Sequence, residues 1–251
     1  MVSLWENWRN GVGMGRRGPK FDTVGGPNTY AVELTKRYAS ISLTKQGADT
    51  GSMRVNLSWR MRSSDLNRKP KRGSLRHPLQ MLKPEVVQTH TQGVVNVDLD
   101  LACMYEMADG TKGVVQPLGG FLGDLNSPPY VKLSGDDRFG SPSGESVYVN
   151  LDHKDDIKRL LFFVYIYDGT PAFDRTDALV TLHPSNGPRV EVALDEHAPQ
   201  ARSCAVLLFE HQKGELMVRR EVRYVYGFQA ELDRLYGWGL QWGRALKEGS
   251  V

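Results

Sequence analysis

At 251 residues, 40% hydrophobic and 24% charged, the chain has room for one large domain or two small ones and is too apolar for wholesale disorder. Its two cysteines exclude a disulfide framework. Nothing in it approaches the roughly 18 apolar residues of a membrane-spanning helix, and the N-terminus has no signal-peptide apolar run. The net charge of +3 conceals a split: residues 1–90 carry 16 Lys and Arg against 6 Asp and Glu, whereas residues 91–251 carry 16 against 23.

Residues 1–38 read as an irregular tail, in which Gly11, Gly13, Gly15, Gly18, Gly25 and Gly26 with Pro19 and Pro27 break any period. From Ile41 the texture changes, and ISLTKQG followed by MRVNLSWRM alternates apolar and polar residues as half-buried strands do. Residues 60–84 form a second irregular stretch, rich in Arg and Lys with a single Asp65. Strand signals then return at regular intervals: VVNVDLDLACMYEM, stopped at Asp109-Gly110, GVVQPLGG, and SVYVNL after a Pro/Gly/Asp-rich loop. RLLFFVYIYDG is apolar enough for a central strand buried on both faces. DALVTLH, RVEVALDEH, SCAVLLFEH and ELMVRREVRYVY complete about nine strands, and a helix is predicted over about 229–246. This spacing predicts an all-β, antiparallel sandwich over residues 39–246.

The sequence offers no enzymatic signature that survives its context. Gly13-Met14-Gly15-Arg16-Arg17-Gly18 matches the dinucleotide pattern by letters, but it lies in the tail and runs into Pro19 instead of joining a strand to a helix. Asp195-Glu196-His197 has no nucleophile in a strained turn to serve. Cys103 and Cys204 both sit within apolar alternation and read as buried, reduced thiols. The chain is expected not to be an enzyme.

The carboxylates carry more. Asp98 and Asp100 are two apart on a strand, hence on one face about 7 Å from each other, and such charges repel unless water or a cation lies between them. Asp136 and Asp137, with Glu145 beyond, form a second acidic group, and Asp168 closes the buried strand. All are hard oxygen donors of the kind Ca²⁺ takes, although the EF-hand pattern is absent.

Taken in order, ISLTKQG, VNLSW, DLDLACMYEMADGTKGVVQPLG, LSGDDRFG, FVYIYDG, LDEH and DRLYGWGLQW resemble the TerD-like tellurium-resistance family, and within it the C-terminal TerD-like domain of the TerA branch. The resemblance covers about residues 39–244. It implies a β-sandwich that binds Ca²⁺ in its loops and serves, without catalysis, in tolerance of tellurite and other chemical or phage stress. Asp98 and Asp100 fall on the family's DLD, Asp136 and Asp137 on its GDN segment, and Asp168 on its HD after the central strand. The longer acidic run that follows GDN in the family is reduced here to Glu145, and Asn96 stands where a further Asp is usual, so donors for a second ion fall short. The implied role is a Ca²⁺-ordered scaffold for other tellurium-resistance and stress proteins. The expected setting is the cytoplasm, with membrane contact through partners and no nucleic acid.

The basic stretch 60–84 admits another reading. Arg68, Lys69, Lys71 and Arg72 would make it an adaptor for nucleic acid or an anionic membrane surface, with the sandwich as a passive scaffold. Against this, the stretch lacks the interleaved aromatics on which bases stack, and a solvated insertion accounts for it as well. The aromatic residues Tyr224, Tyr226, Phe228, Tyr236, Trp238 and Trp242 are expected to pack at the sandwich edge.

Overall fold

The computed structural model describes residues 30–60, 97–134, 144–169 and 173–243. In chain order the strands are β1 Ala31–Glu33, β2 Ser40–Ser42, β3 Ser52–Ser58, β4 Asp98–Met107, β5 Lys112–Val115, β6 Gly123–Asp124 and β7 Val131–Leu133. They continue with β8 Glu145–Asn150, β9 Ile157–Asp168, β10 Leu179–His183, β11 Arg189–Ala193, β12 Ser203–Gln212 and β13 Glu215–Val225, before helix α1, Gln229–Tyr236. Two sheets result: a seven-stranded sheet ordered β1-β11-β10-β3-β8-β7-β6 and a six-stranded sheet ordered β2-β13-β12-β9-β4-β5. The all-β sandwich is therefore present.

The additional strands beyond those predicted are short. β1, β6 and β7 span three, two and three residues, too few for alternation to show in sequence. β1 lies inside the stretch read as a tail and pairs in parallel with β11, the one departure from antiparallel pairing among the described strands.

The main core lies between the sheets. Alternation turns Met53, Val55 and Leu57 of β3 and Val180 and Leu182 of β10 inward against Leu99, Leu101 and Cys103 of β4 and Phe162, Val164 and Ile166 of β9. A second core covers the outer face of the six-stranded sheet, where Ala102, Met104, Leu161, Phe163, Tyr165 and Leu208 are packed under Leu232 and Trp238. This is why the stretch from Leu160 to Ile166 of β9 reads as an unbroken apolar run: successive residues enter different cores, and neither face meets water there.

The cover on that outer face is α1 and the segment after it. The helix is shorter than predicted because Gly237 takes the left-handed conformation (φ 64°), which ends it and directs Trp238 down onto the sheet. The buried Asp233 carboxylate accepts from the N–H groups of Gly239 and Leu240, both at 2.7 Å, and from Trp242 Nε1 at 2.8 Å. The aromatic cluster thus does not close the sandwich edge. Trp238 and Trp242 cover a sheet face, Tyr224 packs toward the main core, and Tyr226 and Phe228 remain exposed.

Candidate metal centre

Cross-strand register places the acidic residues at one end of the sandwich. Val225 stands opposite Ser203, Ser203 opposite Tyr165, and Tyr165 opposite Asp100, so the end of β13, the start of β12, the end of β9 and the start of β4 form one rim. On this rim Asp98 is directly opposite Asp168, with an irregularity in the β4–β9 ladder between Asp98 and Leu99. Directly opposed like charges on neighbouring strands destabilise a sheet. Asp100, two residues further on, is fully buried.

Glu145 reaches the same region from the other sheet. It is buried, and its Oε2 accepts from the Leu101 N–H at 2.7 Å. That N–H lies two residues beyond the last β4–β5 pair, Cys103 with Val115, where the ladder no longer serves it. Gly144 makes the approach possible: its φ is 61°, and a Cβ there would collide with the Leu57 carbonyl. Asn56 Nδ2 donates to the Glu145 carbonyl and to Ser146 Oγ, which fixes the start of β8. Trp59 Nε1 donates to the Val97 carbonyl at 3.0 Å and ties the end of β3 to the residue before Asp98. Asp168 is exposed, and its Oδ1 accepts from the Gly169 N–H at 2.8 Å.

Asp98, Asp100, Glu145 and Asp168 therefore share one end of the molecule. Asp136 and Asp137 lie outside the described residues, as do Arg68, Lys69, Lys71 and Arg72. Among the described residues no three His, Cys, Asp or Glu side chains are grouped closely enough to hold a metal ion by themselves. The donor chemistry still fits a hard cation, since every candidate is a carboxylate.

Sequence reading missed Arg202, which donates through Nη1 to the Gly169 carbonyl at 3.4 Å and lies over the Phe228 ring. No local motif marks it, because its partners are 33 and 26 positions away. The Asp195-Glu196-His197 run is also explained: Glu196 pairs with Lys36 and Arg220, and His197 pairs with Asp174 at 2.8 Å.

Cys103 and Cys204 are free and fully buried, and burial pushes both thiols well above the usual cysteine range. A thiolate is the reactive form, so iodoacetamide is expected to leave both unmodified in the native protein and to label both in denaturant. Mass spectrometry reads the difference, and fast native labelling of either residue would contradict its placement.

The described residues thus define a two-sheet β-sandwich with a carboxylate-bearing end and one covered outer face. No family model matches the chain. Tellurium resistance protein TerA of Alcaligenes sp. is 36% identical to it over 217 residues, which is 86% of this chain and 58% of that protein. The chain is related to the Ter-family tellurium-resistance proteins and spans somewhat more than half the length of that relative. Among the described residues no helix is long and apolar enough to cross a membrane.

Proposed function

We propose that the chain is a non-enzymatic, Ca²⁺-binding component of a tellurite and chemical-stress resistance system, acting as a scaffold for other proteins of that system. The relation to a tellurium-resistance protein supports the setting. The observation that carries the Ca²⁺ reading is the facing pair Asp98 and Asp168 beside the buried Asp100. Asp98, Asp100 and Asp168 would each contribute to the ion only as part of a larger oxygen shell completed by backbone carbonyls and water, while Glu145 braces the β4 backbone at the same end. Bound there, Ca²⁺ supplies positive charge and takes oxygen ligands. The residues around it do the rest: the rim strands keep their register while carrying like charges, and the exposed end becomes the surface offered to partners.

Calorimetric titration with CaCl₂ tests this reading. The wild type is expected to give a saturable heat, and the Asp98→Asn/Asp100→Asn double variant a flat trace. At a free concentration about 100 times the Kd, Ca²⁺ should raise the unfolding free energy by about 2.7 kcal/mol. Flat traces from both proteins, with no thermal shift, would defeat the proposal.

A further inference from the structure

The two outer faces of the sandwich differ. The six-stranded sheet is covered by α1 and the segment after it, whereas among the described residues no helix or strand packs on the outer face of the seven-stranded sheet. Alternation sends Arg54, Asn56 and Ser58 of β3 to that face, because Met53, Val55 and Leu57 face the core. By the same rule Tyr148 of β8, Lys132 of β7, His183 of β10, and Arg189 and Glu191 of β11 are directed to that face, with Ser146 and Thr181 on the same side but buried between their neighbours.

Register then lines these residues up across the strands. His183 is opposite Arg54, Arg54 opposite Tyr148, and Tyr148 opposite Lys132. Arg189 continues the row on β11, since its neighbour Val190 is opposite Leu182. The row crosses five strands, about 19 Å at the usual strand spacing. A parallel row beside it reads Glu191, Thr181, Asn56 and Ser146. Glu191 pairs with Arg189 at 3.0 Å, while Arg54, in the centre, makes no ion pair among the described residues. Three cations set at every second strand on one side of the sheet suit a ligand carrying regularly spaced negative charges.

The rings narrow the class of ligand. Tyr148 and His183 flank Arg54, one strand to each side. Burial, with the Arg54 and Arg189 charges adding to it, pushes the His183 pKa down to about 4, so at neutral pH the imidazole is an uncharged flat ring. Cations that track phosphates, combined with ring faces on which bases stack, are how sheet surfaces hold single strands. A bilayer would call for aliphatic side chains able to insert, and this row has none.

We propose that the outer face of the seven-stranded sheet binds single-stranded nucleic acid, with phosphates along Arg189, Arg54 and Lys132 and bases against Tyr148 and His183. The site is separate from the carboxylate end and needs no Ca²⁺.

Fluorescence anisotropy of the full chain with labelled 12-mers of thymidylate and uridylate tests it, in wild-type protein and in a variant with Arg68, Lys69, Lys71 and Arg72 replaced by alanine. Binding is expected in both proteins. Tyr148→Ala should weaken it about 5- to 100-fold while Tyr148→Phe stays near wild type. Arg54→Gln and Lys132→Gln should each lower affinity and flatten the log–log salt slope by about 0.7. Circular dichroism checks each fold, and if Tyr148→Ala unfolds, the Arg54→Gln and Lys132→Gln slopes decide alone. The proposal is overturned by no binding at low salt, by binding lost only in the 68–72 variant, or by affinities indifferent to Arg54 and Lys132. Binding to phosphatidylserine vesicles without binding to either oligonucleotide would also overturn it, in favour of a membrane.

Discussion

Trp238→Ala is expected to lower the unfolding free energy by about 3–5 kcal/mol, the range for removing a large buried aromatic side chain. Trp238 is 1% exposed and seals the second core over Met104, Leu161 and Phe163. Its Nε1 donates to the Tyr105 carbonyl at 2.9 Å, the Arg159 guanidinium lies 3.8 Å above its ring, and its own carbonyl accepts from Lys112 Nζ. Truncation would remove the ring, leave the Tyr105 carbonyl without this donor and release the segment that Asp233 organises. Trp238→Phe keeps most of the volume and loses the N–H, so a smaller cost of about 1–3 kcal/mol is expected. Urea denaturation measures both, and dye binding by Trp238→Ala should report the uncovered sheet face. A cost below about 1 kcal/mol for the alanine variant would mean that the cover is not part of the cooperative fold.

Glu106→Gln is expected to cost about 2–4 kcal/mol at neutral pH, somewhat below the cost of stripping a partner from a buried pair, because the amide keeps the shape. Glu106 is 4% exposed and stands opposite Arg159 on β9 and Lys112 on β5. Its carboxylate accepts from Arg159 Nε at 2.6 Å and from Lys158 Nζ at 2.7 Å, with Lys112 at 3.8 Å. Burial alone would raise its pKa, but these cations outweigh burial and hold it below the ordinary value of 4.5. A depressed native pKa means that the stability from Glu106 is complete above about 4.5 and is lost as pH falls through the native value. The gap between wild type and Glu106→Gln should therefore be constant from pH 8 to pH 5 and narrow below that. Denaturation midpoints across this range measure it, and a gap that widens on acidification would refute the assignment.

Much of the architecture was legible in the chain. The unbroken apolar run of β9 announced a strand buried on both faces, and the alternation in β3 announced one wet face. The DLD pair and Asp168 were visible as candidates because each sits at a strand end. The helix was overestimated because only a left-handed Gly237 ends it, and the aromatic residues beyond it gave no hint of which surface they would cover. The rim was less legible than its parts. That Asp98 faces Asp168, or that Glu145 serves the Leu101 N–H from the opposite sheet, depends on register and on how the sheets stack.

The charge split follows the same division. Composition alone established a surplus of basic residues before position 90 and of acidic residues after it, and periodicity alone established an all-β chain with two buried thiols. Those properties reside in neighbouring residues, where side-chain direction alternates by covalent geometry. The row of Arg189, His183, Arg54, Tyr148 and Lys132 spans positions 54 to 189 and exists only once five strands lie side by side. So does the ring of cations around Glu106. Local pattern decides which face a residue takes, but hydrogen-bonded register and the packing of one sheet on another decide its neighbours. A site made of neighbours is therefore settled by the tertiary structure.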